Sequence, residues 1–310
     1  MTTVPSRRFS AATRPVGAVI APVAQVPERL GGHVATFVIA AVLGIRHVIA
    51  TYRRQTLLYI QEFAWGGRGA VLVGGGTAIV LAILGIAVGA SIGIQGYASL
   101  DLVGMGSLTG FISSYANTRE LAPMIAAIGF AAQAGCRLTA EIGSMRISEE
   151  IDALEAMAVR PIPFVVSTRV VASITTVIPL YIIALILGFA AAKLVVTQVH
   201  GQSGGTYDFY FDQFLKPQDL IFSLIKVLVF VVSVVIIHSY QATSPQAELR
   251  GVGRASGRAI RTSLIVIVVE DMILTLLMWG TRFRRTDFWV GGVQWLSFMI
   301  RPGANHRTGT

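Results

Sequence analysis

Four carboxylates, Glu149, Glu150, Asp152 and Glu155, crowd into the run Glu149-Glu150-Ile151-Asp152-Ala153-Leu154-Glu155-Ala156-Met157, which Pro161 closes. The run is wedged between two long apolar segments, where a carboxylate is costly unless it stays in water or finds a partner. Read as a helix, it places Ile147, Ile151, Leu154 and Ala158 on one face and Glu149, Asp152 and Glu155 on another. This describes an amphipathic helix at a membrane surface, showing charge to something soluble. Periodicity leaves a second reading open, a helix whose charged face is merely solvated. Glu270 and Asp271 form another acidic pair, inside an otherwise apolar stretch. Adjacent helical residues point about 100° apart, so one can face a cavity and the other a neighbouring helix. Either they form a functional intramembrane polar site, or they are structural acids paired with Lys226 or with an arginine of another subunit.

Covalent chemistry finds little support. No GxxxxGK[ST] motif is present, and Gly74-Gly75-Gly76-Thr77 lacks the lysine, so the chain is not expected to hydrolyse ATP itself. No HExxH or Cys/His cluster suggests a metal, and no nucleophile–base pair stands out. The five histidines, His33, His47, His200, His238 and His306, are scattered and read as interfacial residues. Cys136 is the single cysteine, which excludes an intramolecular disulfide. It reads as a small packing residue.

The elements that must position these residues follow from composition. The chain has 310 residues, 54% hydrophobic and 13% charged, with mean hydropathy +0.67. A soluble domain carries about twice that charged fraction. Several apolar stretches reach the roughly 20 residues that span a bilayer. The expected fold is therefore an all-α membrane protein. A net charge of +9 would suggest nucleic acid in a soluble protein, but arginine-rich cytoplasmic loops explain it here.

A basic tail, 1–30, carries Arg7, Arg8, Arg14 and Arg29 and does not read as a cleavable signal peptide. The apolar part of the next segment, roughly Val34 to Ile45, is short for a span. With the amphipathic Thr51–Phe63 segment it reads as an interfacial helical element, with Trp65 at headgroup level. Five spans are expected, at about Ala70–Gln95, Thr118–Ser144, Phe164–Val196, Leu220–His238 and Thr262–Gly280. Residues 96–116 and 197–217 read as outside connections, and 281–310 as a C-terminal tail. The first span carries Gly85, Gly89 and Gly93 at four-residue spacing, which permits close helix approach in lipid. The second is the least hydrophobic, with Arg119, Glu120, Gln133, Arg137 and Glu141. It cannot face lipid all round.

These residues carry a resemblance. Thr118-Arg119-Glu120-Leu121-Ala122-Pro123, then Thr139-Ala140-Glu141-Ile142-Gly143-Ser144-Met145-Arg146-Ile147-Ser148-Glu149-Glu150-Ile151-Asp152-Ala153-Leu154, then Met157 and Pro161, resemble the MlaE/YrbE permease family. The resemblance runs from about residue 50 to 280, within an expected permease domain at 31–280. His200 to Tyr207, with Phe214-Leu215-Lys216-Pro217, is similar to the B-type permease of mce operons. Several things are implied by this resemblance. The chain would be a non-enzymatic permease subunit of an ABC transporter that imports a lipid such as a fatty acid or sterol across or into a bacterial plasma membrane. It would pair with an A-type YrbE paralogue as a heterodimer, on a cytoplasmic ATPase dimer that binds ATP and Mg, and would work with MCE-domain proteins. The N-terminus would be cytoplasmic. Arg146, Glu149, Glu150, Asp152, Leu154 and Glu155 would form the coupling helix, docked in a groove of the ATPase. A membrane-embedded lipid-modifying enzyme and a non-transporting scaffold are the alternatives.

The arginines at 250–261 place that loop inside. With Cys136 replaced, an impermeant thiol reagent applied from outside should label a cysteine at Gly204 or Asp208. One at Gly253 or Glu150 should stay unlabelled, and labelling at Gly253 would invert the topology.

Overall fold

The computed structural model describes residues 31–66, 76–243 and 251–280. Outside them lie the basic tail 1–30, the tail 281–310 with His306, Gly74 and Gly75, and Arg250. Nine helices are used below: α1 Gly31–Thr51, α2 Arg53–Trp65, α3 Thr77–Asp101, α4 Gly106–Ile147, α5 Glu150–Ala156, α6 Ile162–Val199, α7 Gly204–Phe214, α8 Pro217–Thr243 and α9 Val252–Met278.

Four of these, α3, α4, α6 and α8, are long and apolar enough to cross a membrane. The fifth expected span lies in α9, whose 27 residues open with Arg254, Arg258 and Arg261 and carry Glu270 and Asp271 in the apolar part. Several boundaries move. The segment 96–116 is not a connection. Its first residues complete α3, residues 102–105 turn, and the rest forms the opening turns of α4. Glycine and serine mark loops in water but are common in membrane helices, which is why composition misleads here. At 42 residues, α4 is about twice the length a bilayer needs. The short apolar segment near the N-terminus is likewise part of a longer helix, since α1 runs unbroken past Ile45 to Thr51.

Contacts divide the chain into two compact units. The first draws on the chain up to Thr77, on Ala131–Val177 and on Val232–Arg261. The second draws on Ala78–Phe130, Ile178–Val231 and the chain from Thr262.

Within the first unit, α1 lies on the opening turns of α6. Ser167 Oγ donates to the Ala41 carbonyl at 2.7 Å. Tyr52 separates α1 from α2 and sets its ring edge-on to Phe164. One stripe of α2, Thr56, Tyr59 and Phe63, is buried, while Trp65 is exposed, as the amphipathic pattern requires.

Within the second unit, the spaced glycines of α3 meet α6. A Cβ at Gly85 would overlap the carbonyl oxygen of Ala184, and one at Gly89 the carbonyl oxygen of Gly188. At Gly93 it would stand 2.8 Å from the Val195 side chain. The close packing expected of these glycines is therefore made inside the chain. Beside the crossing is a cavity of about 10 Å³ lined by Leu81, Leu84, Asn117 and Tyr181. That volume suits one water, not an acyl chain.

The expected outside segment 197–217 contains α7. It packs on the first turns of α4, with Gly110 against the Tyr207 carbonyl and Phe214 edge-on to Phe111 at 4.6 Å. Burial pushes the Tyr207 phenol up to about 12. Its hydroxyl therefore stays protonated at physiological pH and acts in packing.

Gly89→Leu should abolish the α3–α6 crossing, seen as loss of monodisperse protein. Gly253→Ala is the control. A Cβ there meets nothing within 4 Å, and helix propensity favours alanine by about 0.5–1 kcal/mol. Its melting temperature should hold or rise.

Candidate functional site

Two places concentrate chemistry-bearing residues: the short acidic helix and the charges carried inside the membrane helices.

The acidic helix is α5, Glu150–Ala156, rather than the expected 146–158. Arg146 and Ile147 belong to the end of α4. Glu149 is not on a helical face either. It is the residue before the helix, held left-handed at φ 58. At the other end Ala158 is left-handed at φ 60. There the Ala158 N–H donates to the Glu155 carbonyl and the Val159 N–H to the Leu154 carbonyl, each at 3.0 Å. This pair of bonds is a Schellman C-cap with alanine where glycine is usual. Glu149 and Ala158 are the two non-glycine residues with positive φ among the described residues.

Burial sorts the α5 side chains. Ile151 is buried and Leu154 half-buried, while Glu150, Asp152 and Glu155 are exposed. Ile147 and Ala158, expected on the apolar face, are exposed too. Ser148 Oγ donates to Glu150 Oε1 at 2.9 Å. The outer surface of α5 thus carries three carboxylates, with exposed Glu149 just before it, flanked by two large apolar side chains, Ile147 and Met157, at 57% and 66% exposure.

Inside the first unit, fully buried Arg169 donates to Glu141 Oε1 and to the Val165 carbonyl, both at 2.6 Å. Its guanidinium lies 4.2 Å from the Tyr59 ring centre. Arg137 pairs with Glu62. His238 is wholly buried, not interfacial as expected. Its Nδ1 is 2.7 Å from Thr139 Oγ1, and its ring lies against Gly135. Cys136 is half-buried.

Inside the second unit, Pro123 has no N–H to offer the Arg119 carbonyl one turn back. Lys226 Nζ, fully buried, donates to that carbonyl at 2.9 Å, to Glu120 Oε2 at 2.8 Å and to Thr275 Oγ1 at 2.7 Å. Asp271 Oδ1 also lies 2.8 Å from Nζ. Arg119 bonds Asp219 at 2.9 Å and stacks on Tyr115, while Trp279 Nε1 caps the second Asp219 oxygen at 2.9 Å. The acidic pair in α9 thus divides: Asp271 faces Lys226, and Glu270 sits beside it, half-buried. Sequence reasoning flagged Lys226 as a partner for Asp271 but missed Glu120, Thr275, Asp219 and Trp279. The Arg119-Glu120…Pro123 pattern was the available signal.

Bilayer-length helices whose ionisable residues are matched internally define a multi-pass, all-helical membrane protein. The chain belongs to the MlaE permease family, whose profile, Permease MlaE, matches residues 67–277. It is similar to a Rickettsia bellii protein described as a probable ABC transporter permease, 31% identical over 61% of this chain and 73% of that protein. The Haemophilus influenzae intermembrane phospholipid transport system permease protein MlaE is 29% identical, over 65% of this chain and 78% of that protein. The chloroplastic protein trigalactosyldiacylglycerol 1 of Arabidopsis thaliana is 28% identical, over 61% of this chain and 54% of that protein.

Removing one partner of a buried ion pair costs about 3–5 kcal/mol, whereas exposed pairs are worth about 0–1 kcal/mol. Arg169→Met should therefore lower stability by about 3 kcal/mol in detergent unfolding. Asp208→Ala, which breaks the half-exposed Lys193–Asp208 pair, should cost under about 1 kcal/mol.

Proposed function

We propose that this chain is the permease subunit of an ABC transporter that moves lipid across or into a bacterial plasma membrane, in the import direction. Family membership supports the transport role. The names of the Rickettsia and Haemophilus relatives support the ABC class and the lipid cargo. The observation that carries the coupling role is the geometry of α5. It is a one-to-two-turn block, joined to α4 by only Ser148 and Glu149 and capped at both ends by left-handed residues. It offers Glu150, Asp152 and Glu155 with Ile147 and Met157 to a soluble partner.

In this reading, α5 docks on a cytoplasmic ATPase dimer, which holds ATP and Mg. Carboxylates give the docked helix register and partner choice, and the apolar side chains give contact area. Movement of the ATPases is passed through the two-residue link to α4. The N-terminus is cytoplasmic, an A-type YrbE paralogue completes the permease pair, and MCE-domain proteins deliver lipid. The chain's own part is to present α5 and to hold a helical wall against the lipid. Arg146, at the end of α4, and Leu154 support the docked surface from behind.

Glu150→Lys with Asp152→Lys should release the ATPase while membrane insertion is unchanged. Like-charge juxtaposition can cost several kcal/mol, and about 3 kcal/mol is more than a hundredfold in affinity. Normal ATPase recovery in a pulldown of the double variant would remove the coupling role. Mass spectrometry of the purified complex should find bound lipid, and its absence would remove the cargo assignment.

A further inference from the structure

The cluster around Lys226 is out of charge balance. On α4 it holds Arg119 and Glu120, on α8 Asp219 and Lys226, and on α9 Asp271, with Thr275 and Trp279 as neutral partners; half-buried Glu270 is the neighbouring residue of α9. Arg119 and Asp219 neutralise one another. One ammonium then faces two carboxylates, both within 2.8 Å of the same nitrogen. Like charges this near disfavour joint ionisation, and Lys226 is fully buried. A lysine ammonium has three hydrogens. The Arg119 carbonyl, Glu120 Oε2 and Thr275 Oγ1 take them. Thr275 in turn gives its own hydrogen to Glu120 Oε1 at 2.9 Å. Both oxygens of Glu120 are therefore served. Asp271 Oδ1 is buried and lies 2.8 Å from Nζ, whose three hydrogens already point to other acceptors. It is an oxygen with a place for a hydrogen of its own.

We propose that Glu120 and Asp271, set around Lys226, form a binding site for one exchangeable proton, carried on Asp271. The proton brings Lys226, Glu120 and Asp271 together to neutrality, which suits an apolar surrounding. Its loss leaves a net charge that must be hydrated or moved, so the seating of α9 against Lys226 depends on occupancy. The inference stands apart from the lipid and ATPase assignments, since it concerns only ionisation inside this chain.

The test is infrared titration of the membrane-reconstituted protein across about pH 5 to 9, in H2O and D2O, read at the C=O stretch of protonated carboxyl groups. Wild-type protein should show a band that shifts in D2O and disappears as pH rises. Glu120→Gln and Asp271→Asn should each lose it, because one carboxylate then matches one ammonium. Lys226→Met should about double it, since two carboxyls are left without a cation. A band unchanged in both amide variants, or no band at any pH, overturns the proposal. So does a band that appears only when sodium is withdrawn, which assigns the site to a metal cation. The wild-type titration needs no substitution and decides the matter if a variant fails to assemble.

Discussion

An ion taken out of water carries a penalty of several kcal/mol even after relaxation, and α4 carries four charged residues, Arg119, Glu120, Arg137 and Glu141, ahead of the Arg146 at its end. Each has a named partner: Arg119 with Asp219, Glu120 with Lys226, Arg137 with Glu62 and Glu141 with Arg169. Those partners come from α8, α2 and α6. Compensating α4 therefore dictates which face each of these helices turns inward. Lys226 and Arg169 are fully buried, so their charges are committed to the interior. The exposed Lys193–Asp208 pair constrains nothing comparable.

Backbone geometry makes those pairings reachable. The turn at Asn117–Leu121 is wider than an α-helical one, and Pro123 follows it. A widened turn rotates the residues that follow it relative to a regular helix. Here it lies where Arg119 points to Asp219 and Glu120 to Lys226. The proline that weakens the helix also leaves a carbonyl to which Lys226 donates. Close approach of α3 and α6 at Gly89 and Gly188 fixes another part of the same unit with no side chain between the backbones. Polar matching and backbone contact thus do different work: one selects helix faces, the other sets spacing.

Much of this was legible in the sequence. Apolar runs located the membrane helices, the four-residue glycine spacing located a close contact, and four carboxylates located α5. Apart from Lys226 as a candidate for Asp271, partners were not legible, because local periodicity carries no information about residues a hundred positions away, as Arg119 and Asp219 are. Gly188 is a single glycine in an apolar helix and gave no hint that it receives Gly89. His238 looked interfacial because it ends an apolar run, yet α8 continues to Thr243 and its ring is buried against Gly135. The break between α4 and α5 was hidden for a different reason. Glycine or asparagine would have marked a left-handed residue, and here the positions are glutamate and alanine.

That choice of residues bears on how α5 works. A non-glycine residue in the left-handed region costs roughly 1–2 kcal/mol, and such strain persists where surrounding structure holds it. A seven-residue helix has no stability of its own in water. What holds α5 is local: Ile151 buried beneath it, the Ser148 hydroxyl on Glu150, and the Schellman bonds behind Ala158. A flexible glycine at either end would relax the strain and let α5 swing independently of α4. Glutamate and alanine restrict that freedom, so in the proposed coupling role a force applied to the exposed acidic surface would pass into α4 instead of being absorbed at the joint. Under the proposed coupling role, the strained caps serve transmission rather than stability.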